Sequence, residues 1–138
     1  MPFLGGMLQL ETEGHGSVLD ITAGVGQVIA TGGVDRGLVN VFVVGSTAAV
    51  TTMEFEPGGV GDLGALLERL IPVAGEYEHN RRNHDTNAHA HLRAAVIGPS
   101  ETVPIVGGRM MLGTWQQIVL IDFDDRPRTR SVSVGVLS

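Results

Sequence analysis

The chain has no cysteine and no lysine. Without cysteine there is no disulfide scaffold, no thiolate nucleophile and no Cys-rich zinc or iron–sulfur site. Without lysine, Schiff-base chemistry, pyridoxal phosphate attachment and the P-loop lysine fall away together, and no organic cofactor is expected. Long apolar runs are missing as well. The densest, Gly37 to Val44, is far short of the roughly 20 residues a membrane-spanning helix needs, so no membrane partner is expected. The amino end, Met1-Pro2-Phe3-Leu4-Gly5-Gly6, lacks a basic region followed by an apolar one. No signal peptide and a cytoplasmic location are therefore expected. Basic charge is scarce too. The formal net charge is −6 and the arginines are interleaved with acids, unlike the basic face of a nucleic-acid binder.

What is present suits one compact domain over residues 1–138. Hydrophobic residues make up 43% of the chain and charged residues only 17%, enough apolar surface for a core and too little charge for disorder. There are 20 glycines, a share that predicts many tight turns. All nine basic residues are arginine, the side chain best shaped for bidentate contacts with carboxylate or phosphate.

Hydrophobic periodicity gives an α+β domain, sandwich-like, dominated by antiparallel sheet, with about two helices. Strands are predicted at Met7–Glu13 and Ser17–Ile21. A short helix follows from Thr22, with Val25, Val28 and Ile29 on one face and Gly32-Gly33 as its stop. Leu38–Val44 is a β-branched run expected to be covered on both faces, and Thr47–Phe55 continues as strand. Pro57-Gly58-Gly59 reads as a turn before a helix from Asp62, with Leu63, Leu66, Leu67 and Leu70 at helical spacing and Leu66 and Leu67 buried. Pro72 ends it. Residues 75–91 are polar and read as a long loop. Beyond it, Gly107-Gly108 joins Thr102–Val106 to Arg109–Leu112 as a hairpin. Thr114–Phe123 and Ser131–Leu137 are the last strands, with a turn at Asp124–Pro127.

The 75–91 segment holds four of the five histidines. In His89-Ala90-His91, an extended backbone would place both imidazoles on one face, about 7 Å apart, able to meet one ion or phosphate. A helical backbone would splay them by about 200°. Asp85 and Asn87 are candidate supporting oxygens. Ser46 and Thr47, at a strand break, could offer donors to an anion. Glu54, in a half-buried strand, wants an arginine or a metal. Trp115 is expected in the core, with Gln116 and Gln117 on opposite sides of their strand. Arg126, Arg128 and Arg130 are expected to form surface ion pairs with Asp122, Asp124 and Asp125. A cupin-like metalloenzyme is one reading of His-x-His, although the glutamate that should follow is absent.

Asn87-Ala-His-Ala-His91, Gly98-Pro-Ser100, Val103-Pro104, Gly108-Arg109 and Leu112-Gly-Thr-Trp-Gln-Gln-Ile118, with Asp122-Phe-Asp124 and Arg130, resemble the YjbQ-like family of secondary thiamine-phosphate synthases. The likeness extends to Asp20-Ile-Thr22, Gly37-Leu-Val39 and Glu54, nearly the whole chain. Many members carry His-Thr-Ser or His-Thr-Thr where this chain has Gly45-Ser46-Thr47, so it resembles a glycine-bearing branch. The resemblance implies an antiparallel α+β fold, a homotrimer with sites near subunit boundaries, and a transferase reaction. That reaction joins a pyrimidine methyl pyrophosphate to a thiazole phosphate. On this reading His89, His91, Asp85 and Glu54 are the catalytic candidates, and Ser46, Thr47, Asn87, Gln116 and Arg109 bind a small phosphorylated molecule. A divalent ion (Mg, Mn or Zn) held by His89 and His91 would neutralise the leaving pyrophosphate. The alternative is a non-catalytic trimer that binds a small anionic metabolite or metal.

Overall fold

The computed structural model describes residues 3–138; the first two residues of the amino-terminal stretch lie outside the described residues. The strands are β1 (Phe3–Thr12), β2 (Ser17–Asp20), β3 (Arg36–Val44), β4 (Ala48–Met53), β5 (Ser100–Val106), β6 (Arg109–Met110), β7 (Gln117–Asp122) and β8 (Arg128–Leu137). The helices are α1 (Thr22–Gly32), α2 (Pro57–Leu70), α3 (Glu78–Asn83) and α4 (Ala88–Ile97). Two antiparallel sheets result, one in the order β1-β8-β3-β5-β6 and a smaller one in the order β2-β7-β4.

Strand alternation decides which side chains meet. Val39, Val41 and Val43 of β3 and Val132, Val134 and Val136 of β8 point inward, onto Val50, Ile118 and Leu120 of the small sheet and Val25 and Ile29 of α1. The other face of the small sheet buries Ala49, Val119 and Ile121 against Leu67 of α2 and Ala90 and Ala94 of α4. β7 is thus covered on both sides. The run Leu38–Val44 is not, contrary to its β-branched look. Its even residues lie on the outer face of the large sheet, where Leu38, Phe42 and Val44 are exposed. Alternation was hidden because both faces of β3 carry apolar side chains.

The hairpin at Gly107-Gly108 forms as expected, both residues at positive φ (63° and 73°), as a two-residue turn requires. Two helix expectations change. α2 begins at Pro57, because the Glu56 carboxylate accepts from the Gly58 and Gly59 N–H groups at 2.9 and 2.7 Å and so caps the turn. Those two backbone N–H donors hold the Glu56 carboxyl below its ordinary pKa. The rotation that follows buries Leu67 (5% exposed) and leaves Leu66 outside (43%). Leu67→Ala is accordingly expected to cost about 2–5 kcal/mol in urea denaturation and Leu66→Ala under about 1 kcal/mol. The stretch 75–91 is not a long loop. It contains α3 and the start of α4, which brings the helices to four. Among the described residues no helix is long and apolar enough to cross a membrane.

Candidate functional site

The helical backbone separates the two histidines of His89-Ala-His91. His89 is buried and its Nδ1 has no partner among the described residues. Burial pushes its imidazole below the usual pKa, and the Arg93 guanidinium adds to that. His91 points to a different side of α4 and meets His79 of α3, with ring centroids 4.9 Å apart and planes tilted by 48°. The period-two pairing of His89 with His91 is therefore replaced by a pairing of His79 with His91 across two helices.

Asn80 organises this corner. Its Oδ1 accepts the Ala88 N–H at 3.1 Å, which fixes the orientation of the amide. His79 Nδ1 lies 3.0 Å from the same oxygen, so Nδ1 is the donor in that contact. His79 is the residue that sequence spacing missed. Its signal was the preceding Tyr77, whose hydroxyl donates to the Pro72 carbonyl and holds the entry to α3. Beside His91, Gly45, Ser46, Ala94 and Pro99 bound a depression of about 340 Å³.

Gly45 has φ +138°, and a Cβ there would sit 2.7 Å from Arg130 Nη1. A histidine at this position would force the turn to be rebuilt. Asp85 is exposed and, among the described residues, its carboxylate accepts only the Thr86 N–H, at 2.8 Å. Asn87 donates to Asp124 Oδ1 at 3.4 Å. Neither side chain hydrogen-bonds a histidine. Among the described residues no group of three or more His, Cys, Asp or Glu is placed to hold a metal ion. Within one chain, the divalent ion expected from His89 and His91 has no fitting donor set.

A second group lies at the far end of β4. Trp115, expected in the core, is 73% exposed. It stands in an open cleft of about 470 Å³ with Thr52, Glu54, Gly113 and Gln116. β7 starts only at Gln117, so residues 113–116 are a loop held by Gln116. That amide accepts the Gly113 N–H at 3.0 Å and donates to Thr52 Oγ1 at 3.1 Å. Gln117 faces the other way, as expected, and accepts the Phe55 N–H at 2.9 Å. Glu54 is exposed just past β4, not half-buried within it. Arg109 is exposed and has no ion-pair partner among the described residues.

Thr47 belongs to neither group. It is buried, donates to Asp124 Oδ2 at 3.1 Å and accepts from Arg130 Nη2 at 2.6 Å. Arg130 in turn meets Asp122 through Nε at 2.7 Å and Nη2 at 2.8 Å. The expected surface pairs of the C-terminal arginines are thus, for Arg130, a buried network. Arg128 reaches Asp124 at 3.1 Å from a partly exposed position.

A family model described as UPF0047 protein YjbQ-like matches residues 6–138. The chain is 40% identical over 129 residues to a UPF0047 protein of Methanothermobacter thermautotrophicus, covering 94% of this chain and 88% of that one. It is 46% identical over 102 residues to a UPF0047 protein of Mycobacterium tuberculosis, covering 73% and 75%. Among solved structures, a hypothetical protein from Aeropyrum pernix is similar with a TM-score of 0.90 at 38% identity, covering 100% of this chain and 99% of that one. A YbjQ-like protein of unknown function from Sulfolobus solfataricus has a TM-score of 0.89 at 29% identity, with 99% of both chains covered.

Proposed function

We propose, for a chain that belongs to the UPF0047 YjbQ-like family, that it is a small-molecule transferase acting on a phosphorylated heteroaromatic ring, of the thiamine-phosphate synthase type. The observation that carries this reading is Trp115, a large ring exposed in a cleft beside the exposed carboxylate of Glu54. In such a reaction the thiazole nitrogen bonds to the pyrimidine methylene as the methylene–oxygen bond breaks, and pyrophosphate leaves with the electron pair. Positive charge builds at the methylene. An indole face stabilises a cation beside it, and Glu54 adds negative charge at the same cleft. Arg109, free of a carboxylate partner, suits phosphate oxygens.

The Ser46–His91 group and the Trp115–Glu54 group sit at opposite ends of β4, whose six residues span about 20 Å. Neither is a complete site. A closed ring joins unlike surfaces of neighbouring subunits, so a trimer unites the two halves at each boundary. The exposed outer face of β3 supports such an assembly. His91 and Ser46 then act on the leaving group while Trp115 and Glu54 of the next subunit hold the ring.

The test is product formation from the pyrimidine pyrophosphate and thiazole phosphate, followed by chromatography. Trp115→Ala is expected to lower kcat/KM by about tenfold or more, equivalent to at least about 1.4 kcal/mol of transition-state stabilisation. Absence of both turnover and binding in the wild-type protein would overturn the reading. Binding of either substrate without turnover would favour the non-catalytic binder.

A further inference from the structure

Asn80 serves two donors at the corner between α3 and α4. α4 opens on Asn87, whose side chain makes no capping hydrogen bond, so the first helical N–H, that of Ala88, takes its acceptor from elsewhere. It donates to Asn80 Oδ1 at 3.1 Å, eight positions back. A backbone N–H can only donate, which fixes the amide oxygen on that side. His79 Nδ1 lies 3.0 Å from the same oxygen. A ring nitrogen that faces an amide oxygen at this distance carries a proton.

Among the described residues no other acceptor competes for that proton. The neighbouring carboxylate of Glu78 is taken up by Arg81 at 2.6 Å. The backbone beneath the ring is held from both directions. Asn83 Nδ2 donates to the His79 carbonyl at 2.9 Å, and the Asp85 N–H to the Asn80 carbonyl at 3.2 Å. Nε2 lies on the far side of the imidazole and accepts nothing among the described residues. The ring lines a depression of about 270 Å³ with Tyr77, Ala88, His91 and Leu92. His91 is also a wall of the Ser46 depression, so His79 stands as a second imidazole beside that half-site.

We propose that Asn80 is a positioning residue, holding neutral His79 as the tautomer protonated on Nδ1, so that the lone pair of Nε2 is what this corner presents to a bound molecule. The hydrogen bond made by one ring nitrogen decides which role the other plays. A molecule that suits the corner brings an O–H or N–H that donates to Nε2 or loses its proton to it. The inference adds to the His91 half-site and does not depend on the transferase chemistry.

Long-range proton–nitrogen correlation spectra of the imidazoles read the tautomer directly at about pH 8.5, where accessible imidazoles are neutral. His79 in the wild-type protein is expected to show a pyrrole-type Nδ1 and a pyridine-type Nε2, assigned by their loss in His79→Gln. Asn80→Asp keeps an oxygen for both donors and should leave that pattern unchanged. Asn80→Ala removes the acceptor, and the two nitrogens should shift toward intermediate values or exchange roles. Diethyl pyrocarbonate, which acylates an imidazole lone pair, should modify His79 and spare the buried His89, as read by peptide mass mapping. If Asn80 only caps α4, Asn80→Ala will lower the unfolding temperature and leave the tautomer where it was. That outcome, a wild-type proton on Nε2, a changed tautomer in Asn80→Asp, or a His79 that resists acylation would each overturn the proposal. Should Asn80→Ala fail to fold, the wild-type and Asn80→Asp spectra still decide.

Discussion

Replacing Asp122 by alanine is expected to destabilise the fold by about 3–5 kcal/mol, the range for removing one partner of a buried ion pair. Asp122 is fully buried on β7. It accepts two hydrogen bonds from Arg130, one from the Thr12 hydroxyl and one from the Asp124 N–H at 3.0 Å. Without it, the Arg130 guanidinium stays buried with Asp124 at 3.8 Å as its nearest carboxylate. Guanidinium chloride denaturation measures the loss, and a value under about 1 kcal/mol would mean the pair relaxes into water. Asp122→Leu combined with Arg130→Met should recover much of it, since well-packed apolar replacements leave no buried charge unpaired.

The same network sets an acid limit. Burial works to raise the pKa of Asp122, but hydrogen bonds from Arg130, Thr12 and the Asp124 N–H outweigh it and hold the carboxyl below its ordinary value of 3.8. Asp124 is also held low, with burial opposed by hydrogen bonds from the Asp125 N–H, Asn87 and Thr47 and by the charge of Arg128. A carboxyl with a depressed folded-state pKa contributes its stabilisation in full above the unfolded value. It loses that contribution as pH falls through the folded one, because the unfolded chain then binds more protons. Stability should therefore drop as pH falls below the usual carboxylate range, and the acid limb should be flatter in Asp122→Ala.

The second large effect concerns the proposed trimer. Phe42→Asp should convert it to monomers, read by light scattering on a sizing column. Phe42 lies toward the carboxyl end of β3 on the outer face of the large sheet, in one row with Ser133 of β8 and Met7 of β1. On the same face Val44 is exposed at the next position and Leu38 two positions away. A carboxylate at the centre of an apolar contact must be desolvated without a partner. On an exposed strand of a monomer it would change little. A wild-type protein that is already monomeric at micromolar concentration would count against the assembly and the shared site together.

How much of this was legible in the sequence differs from element to element. Strands showed themselves where one face is apolar and the other polar, as in β8. α1 showed its stop at Gly33, which adopts φ +64°. Leu66 and Leu67 are adjacent leucines at equally plausible helical positions, and only the starting angle that Glu56 imposes tells them apart. His91 carries no local mark of its partner. The contact with His79 spans twelve positions and needs the turn at His84, itself in a left-handed conformation. Trp115 illustrates the opposite problem. The residue type predicts burial, whereas the Gln116 bracket on its loop turns the ring outward. Arg130 looked like part of an exposed charge run because its alternation with Ser131 and Val132 is visible only once β8 is placed between β1 and β3.

The long ladder between β1 and β8 has a consequence for how the protein is made. Phe3–Thr12 pairs with Arg128–Leu137, and even its nearest partners, Thr12 and Arg128, are 116 positions apart. At about 5–20 residues per second of synthesis, β1 waits several seconds on the ribosome for β8, its one partner strand among the described residues. One edge of β3 waits for β8 as well, while its other edge pairs with β5. The helices and the β3–β5 pair can gather first, leaving β1 unpaired until β8 is made. Sequence-distant closure of this kind slows folding. It leaves strand edges of the large sheet open to wrong pairing during the interval before β8 is made.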